Sequence, residues 1–176
     1  MTTLGVDQLT AVNLRVMDNA VPDARFVDQL GALVSARDEG LIGGIGISNI
    51  SLEHLIRALD VTEIVCVQNF FNLAYRTSLP ILHECTARGI AFVPFCPLGW
   101  PREQHHTILS NQVVTRIATH HHATAVQVAL AWLLAIAPNV LLIPGTRSRG
   151  HLTENLGAAT LMLRDADITR LNEEFA

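Results

Sequence analysis

Short apolar runs recur along the chain, each followed by a stretch of helical spacing, and this alternation limits the fold more than any other feature of the sequence. The runs are Leu41–Ile47, Ile64–Val67, Ile90–Phe95 and Val140–Ile143. Runs of that length suit strands buried on both faces, as in parallel sheets covered by helices. Leu9–Leu14 reads as a further strand before them. From Asp23 to Glu39, Phe26, Val27, Leu30, Leu33 and Val34 make one helical face, and Gly40 stands where a left-handed C-cap is expected. Ile42–Ile47 is then a strand, and Ser51 can cap the next helix, with His54 in its first turn. Ser78–Arg88 is a helix stopped by Gly89, and Ile90–Phe95 is a strand. Trp100–His106 reads as a looser crossing segment. Helices are expected over Asn111–His121, Ala125–Ile136, Leu152–Ala158 and Asp165–Glu174, with Pro138 and Asn139 breaking the second of these. Such alternation describes βαβ units and a parallel sheet.

The chain has 176 residues, 49% of them hydrophobic, which is enough for one sizeable core. No linker, low-complexity segment or charge run divides it, so residues 1–176 read as a single domain. No stretch reaches the ~18 unbroken apolar residues of a membrane span. The net charge is −4 and the basic residues form no cluster, so nothing points to nucleic acid. All the basic residues are Arg; the sequence holds no Lys. Met1-Thr2-Thr3-Leu4-Gly5 resembles neither a signal nor a transit peptide. Cys66, Cys85 and Cys96 show no metal-type spacing and read as reduced thiols of a cytoplasmic protein. About five strands are too few to close an eight-stranded barrel of ~250 residues. An open doubly wound sheet and part of a closed barrel both fit the length, and the motifs have to decide.

Gly43-Gly44-Ile45-Gly46 superficially resembles a dinucleotide loop, but its glycines lie before or inside a strand and none opens a helix, as a Rossmann fingerprint requires. Ser48 and Asn49 follow at the C-terminal end of that strand, the end that faces the active site in parallel barrels. Asn offers a donor and an acceptor together, which suits a carboxamide; it also simply ends strands. Gln68-Asn69 holds the same place after Ile64–Val67. Phe95-Cys96-Pro97-Leu98-Gly99 holds it after the next strand, where an aromatic can stack on a flat heterocycle or serve as core. The fullest local pattern is Ile143-Pro144-Gly145-Thr146-Arg147-Ser148-Arg149-Gly150-His151. There a strand ends, two Arg and two hydroxyls follow, and a helix begins. Helix N-termini and guanidinium groups both favour phosphate, although an ordinary capped helix with solvated arginines has the same residues.

In this order and spacing, Gly46-Ile47-Ser48-Asn49, Val67-Gln68-Asn69 with Asn72, Val93-Pro94-Phe95-Cys96-Pro97-Leu98-Gly99, Ala129-Leu130-Ala131-Trp132-Leu133, Ile143-Pro144-Gly145-Thr146 and Glu154-Asn155 are similar to the aldo-keto reductases, over nearly the whole chain. Asn13-Leu14-Arg15 resembles the bacterial members related to pyridoxal reductase. The resemblance implies an α/β fold, a partial (β/α)8 TIM barrel of roughly strands 4 to 8, and an NADP(H)-dependent oxidoreductase acting on aldehydes or ketones. It implies that Ser48, Asn49 and Gln68 hold the nicotinamide carboxamide, that Phe95 stacks on the ring, and that Cys96 and Leu98 lie along the pyrophosphate. Thr146, Arg147 and Ser148 would meet the 2′-phosphate, with His151, Glu154 and Asn155 bordering the adenine.

The family's proton-donating Tyr, tuned by a Lys and an Asp, is not matched. Leu4-Gly5-Val6-Asp7 resembles the approach to the fourth strand, so the chain reads as N-terminally truncated, with those three residues expected upstream. Tyr75, the sole Tyr, lies after the sixth-strand equivalent. Arg15 stands near the position of the family's catalytic His, and a guanidinium that stays charged is a poor proton donor. A non-catalytic remnant that holds nucleotide or docks on a partner is therefore the second reading. Open barrel edges would also invite self-association. His105-His106 and His120-His121-His122 read as polar helix ends, because consecutive helical residues diverge by about 100° and do not converge on a metal. His54 and His83 are expected to face solvent. Asp7, Asp18, Asp23 and Asp28 form no recognisable carboxylate pair, and Cys96 reads as a small filler against the cofactor.

Overall fold

Cap and turn chemistry fixes where the elements begin and end in the computed structural model, which describes residues 5–17 and 21–176. Met1–Leu4, read above as no leader, and Asp18 lie outside the described residues. In chain order the elements are β1 (Val12–Arg15), α1 (Ala24–Asp38), β2 (Ile45–Ser48), α2 (Leu52–Leu59), β3 (Cys66–Phe70), α3 (Leu79–Arg88) and β4 (Ala91–Phe95). After them come α4 (Arg102–Leu109), α5 (Gln112–His120), α6 (Ala125–Ile136), α7 (Arg149–Gly157), a 3-10 turn (Ala158–Thr160) and α8 (Asp165–Glu174). Asp23 Oδ1 accepts the Phe26 N–H at 2.9 Å and starts α1. Ser51 Oγ accepts the His54 N–H and starts α2, and Thr124 with Gln127 forms a reciprocal capping box on α6. Gly40 (φ +76°) and Gly89 (φ +68°) stop α1 and α3 in the left-handed conformation, as expected.

The strands form a four-stranded sheet in the order β1-β2-β3-β4. The β1–β2 and β2–β3 pairings are parallel, with Asn13 opposite Gly46, Arg15 opposite Ser48, Gly46 opposite Cys66 and Ser48 opposite Gln68. The chain divides into two compact units, residues 1–69 with 80–93 and residues 70–79 with 94–176. In the first, Leu30 of α1, Leu55 of α2, Leu82 of α3 and Ile45, Ile47 and Val67 of the sheet are fully buried. In the second, Phe71 stacks on Trp132 of α6 at 6.0 Å between centroids. The Arg76 guanidinium lies 4.6 Å over the same indole and donates to the backbone oxygens of Leu171 and Asn172. Asp167, 1% exposed, receives Arg164 through both of its oxygens at 2.8 Å and faces His121 Nε2 at 2.9 Å.

Several expectations are corrected. Val140–Ile143 is not a strand: Val140 makes only an isolated bridge, residues 141–145 join no ladder, and Leu141 and Ile143 are exposed. A short apolar run becomes a parallel strand only where a neighbour supplies the ladder, and periodicity does not reveal that neighbour. Burial on both faces holds for β2 alone; β1, β3 and β4 alternate. The Trp100–His106 segment enters α4, so His105 sits inside a helix, with its Nδ1 3.0 Å from the Leu98 oxygen. His54 is buried rather than solvent-facing. Its Nδ1 is 2.8 Å from Ser51 Oγ and its ring meets Phe26 edge-on, so capping and packing satisfy it. His83 is exposed, as expected.

Candidate cofactor-binding residues

In the first unit the parallel register sets side chains of one face in rows, because partners in a parallel ladder point the same way. Arg15, Ser48 and Gln68 form one row, and Asn13, Gly46 and Cys66 the row beneath it. Ser48 is 2% exposed, and among the described residues its buried Oγ has no hydrogen-bond partner. Leaving such a group unsatisfied costs on the order of 1–3 kcal/mol. Asn49 follows at φ +57°, a left-handed conformation that Asn tolerates better than most residues. Its N–H donates to the Gln68 oxygen at 2.9 Å and its Nδ2 to the Val16 oxygen at 2.8 Å. Gln68 Oε1 accepts from Asn13 Nδ2 at 3.0 Å. Asn69, adjacent in sequence, turns to the other side and locks both polar atoms of the Ile50 backbone at 3.0 and 2.7 Å. Ser48, Asn49 and Gln68 are thus brought together, whereas Asn69 is part of the frame.

Arg15 ends β1 and lines a cleft of about 120 Å³ with Arg25, Gln29 and His54, beside the start of α1. Cys66 is half-buried, and burial pushes its thiol up from the ordinary range; Cys85, more deeply placed, is pushed up to about 12 by burial and by Glu84.

In the second unit the turn after β4 is held at every step. Phe95 is half-buried with its ring 5.5 Å from Phe70. Cys96 takes φ +51°, a strained choice for a residue with a Cβ. Its carbonyl accepts from Asn72 Nδ2 at 3.1 Å and from the Gly99 N–H at 2.9 Å. Gln104 Oε1 takes the Trp100 N–H at 3.0 Å and a second contact from Asn72. Gly99 is required here: at φ +94° a Cβ would stand 2.9 Å from the His105 nitrogen. Asn72, wholly buried, is therefore the bracket that sets Cys96.

Further along, Thr146 Oγ1 accepts the Ser148 N–H at 3.1 Å, and Ser148 Oγ caps α7 by accepting the His151 N–H. The ordinary cap weighed above is therefore present, and it aligns the first turn. Thr146, Arg147, Ser148 and His151 are exposed, while Glu154 and Asn155 are half-buried; Gln127 of α6 donates to the Glu154 oxygen at 3.1 Å. This arrangement can take an anion through exposed guanidinium and backbone N–H groups. Asn13 and Asn72 were not singled out as ligand-shaping from sequence. A glycine inside a strand, Gly46, was the available sign that another group lies over it.

Residues 1–174 match the model of the aldo/keto reductase family. The chain belongs to that family. Pyridoxine 4-dehydrogenase of Escherichia coli (strain K12) is 40% identical over 175 residues, which cover 98% of this chain and 59% of that protein. An uncharacterized oxidoreductase of Schizosaccharomyces pombe is 32% identical over 174 residues, covering 99% of this chain and 55% of its own length. Among solved structures, a thermostable aldo-keto reductase crystallised with the inhibitor epalrestat superposes with a TM-score of 0.84 at 30% identity, over 98% of this chain and 62% of that one. A variant of Gox0644 crystallised with NADPH gives 0.79 at 24% identity, over 95% and 59%, a likeness of fold alone. The chain thus spans less than two thirds of the relatives it matches, and its fold is a partial barrel of their type.

Proposed function

We propose that this chain is the NADP(H)-binding part of an oxidoreductase that interconverts carbonyl and alcohol groups. The observation that carries the reading is the Ser48 hydroxyl, buried with no partner among the described residues, in register with Gln68 and followed by Asn49. Buried polar atoms are almost always satisfied, and a primary carboxamide would satisfy this one while meeting the neighbouring amides. Ser48, Asn49 and Gln68 hold the carboxamide and Phe95 lies against the nicotinamide ring. The turn at Cys96 and Leu98 follows the pyrophosphate. Thr146, Arg147 and Ser148 take the 2′-phosphate, and His151, Glu154 and Asn155 border the adenine. Bound NADPH would supply the hydride for carbonyl reduction. Arg15 would orient a substrate carbonyl rather than donate a proton, since a guanidinium stays protonated.

The chain as written is expected to bind without turning over, because it has no Lys and its one Tyr, Tyr75, is held at the Asn72 turn. The test is a titration with NADPH and NADH, followed through Trp100, which is exposed, with Trp132, which is buried, reporting on the fold. An assay with aldehydes, pyridoxal among them in view of the E. coli relative's name, runs alongside. Saturable binding that favours NADPH, without turnover, is the expected result. A folded chain that binds neither nucleotide would overturn the reading, and turnover would overturn the missing proton donor.

A further inference from the structure

Beneath the row that carries Ser48 and Gln68 runs a chain of side-chain hydrogen bonds with a fixed direction. The Cys66 thiol donates to Asn13 Oδ1 at 3.1 Å, and Asn13 Nδ2 donates to Gln68 Oε1 at 3.0 Å. A thiol can donate or accept, in both cases weakly; here it donates, so the oxygen end of the Asn13 amide faces Cys66. The other end then necessarily presents its N–H group to Gln68. Burial that raises the Cys66 pKa keeps the thiol protonated at neutral pH. The absence of a side chain at Gly46 makes room for this arrangement: a Cβ there would collide with Asn13 Oδ1 and stand 2.5 Å from Cys66 Sγ. Among the described residues Gln68 Nε2 makes no hydrogen bond.

We infer that Asn13 is a positioning residue that selects one of the two flips of the Gln68 amide, and so fixes the donor–acceptor pattern offered to a ligand carboxamide. The inference rests on the cofactor reading above and adds to it a residue that acts through Gln68. A free Gln amide can present either face and loses part of its selectivity in doing so; one held through Oε1 presents a single pattern. Packing alone predicts a different order of effects from this relay. Asp is isosteric with Asn, so Asn13→Asp would be the mild change and Asn13→Leu the severe one. Under the relay the order reverses, because a carboxylate only accepts: it draws Gln68 Nε2 inward and turns the amide over, whereas Leu merely releases it.

The experiment titrates wild-type, Asn13→Asp and Asn13→Leu proteins with NADPH and with 2′-phospho-ADP-ribose, which has the 2′-phosphate and no nicotinamide. Folding is checked by circular dichroism. Asn13→Asp is expected to weaken NADPH binding about tenfold and Asn13→Leu about threefold, the scale of one neutral hydrogen bond. Both should bind 2′-phospho-ADP-ribose as wild type does. Unchanged NADPH affinity in Asn13→Asp, or equal weakening toward both ligands in a folded protein, would overturn the inference. If wild type binds the two ligands equally, the carboxamide contributes nothing and the inference falls while nucleotide binding stands. If it binds neither, the cofactor reading falls and takes the inference with it. Should Asn13→Asp not fold, Cys66→Ser, which keeps a donor, and Cys66→Val, which removes it, decide the question. NADPH affinity kept in the first and lowered about threefold in the second supports the relay, and equal affinities overturn it.

Discussion

The strand ends around Ser48 and the segment from Thr146 to Asn155 are both candidate ligand surfaces, yet they are built in opposite ways. Ser48 and Gln68 sit on a parallel ladder with Asn49 at its end, and backbone, Asn13 and Val16 hold the two amides in place. Thr146, Arg147 and Ser148 are exposed and are held by bonds within their own loop and cap. The first surface suits recognition of direction, where one hydrogen bond turned the wrong way is costly. The second suits recognition of charge, where a guanidinium on a flexible stem can follow a phosphate over some distance. A polar group embedded in the ladder is therefore expected to matter to the fold and to the ligand together. A charged group in the loop should matter to the ligand alone.

The largest test of that contrast is Asn69→Ala. The change leaves the Ile50 N–H and C=O buried without their side-chain partner. It should cost about 3 kcal/mol in denaturant unfolding, and a loss under 1 kcal/mol would break the comparison. The second test concerns the polar anchor within each unit. Asn69 is neutral, whereas Asp167 is charged, and its bonds to Arg164 and then to His121 hold its carboxyl well below the usual range. A carboxylate depressed in the folded state stabilises fully above its unfolded pKa, and that contribution is lost as pH falls toward the folded value. Hydrogen exchange should thus show α5 and α8 loosening below about pH 4 while β2 and β3 stay protected. Asp167→Asn should be less stable at pH 7 and lose little more on acidification, and an unchanged acid profile would remove the ionic anchor from the account.

Ser148→Ala comes next. Removing the α7 cap should cost about 1 kcal/mol, seen as faster exchange in the first turn of α7 and not in β2. The smallest effect on the fold belongs to Arg147→Ala, which should shift unfolding by no more than about 0.5 kcal/mol. The same variant should weaken NADPH about tenfold and leave NADH unchanged, since a charge-assisted bond of about 1.5–3 kcal/mol is lost only with the 2′-phosphate present. Added salt should narrow that difference. Equal weakening of both nucleotides would place Arg147 elsewhere than on the 2′-phosphate.

The alternation of apolar runs with helical faces was enough to give the βαβ character. Asp23, Ser51, Gly40 and Gly89 marked helix ends that the structure reproduces, because caps are local chemistry. The order of motifs was enough to give the family, and Ser48, Asn49 and Gln68 were legible as strand-end polar groups. Other features depended on partners far away in sequence. Val140–Ile143 has the composition of a strand and lacks the ladder; His54 has the composition of a surface residue and is buried against Phe26. The burial of the Ser48 hydroxyl, the Asn13 relay over Gly46 and the Asn72 bracket on Cys96 join residues up to 55 positions apart. The sequence by itself determined where several helices start and stop, since capping acts within a few residues. Only the tertiary structure decided which polar groups are satisfied within the fold, since satisfying or orphaning a hydrogen bond depends on what the register brings alongside.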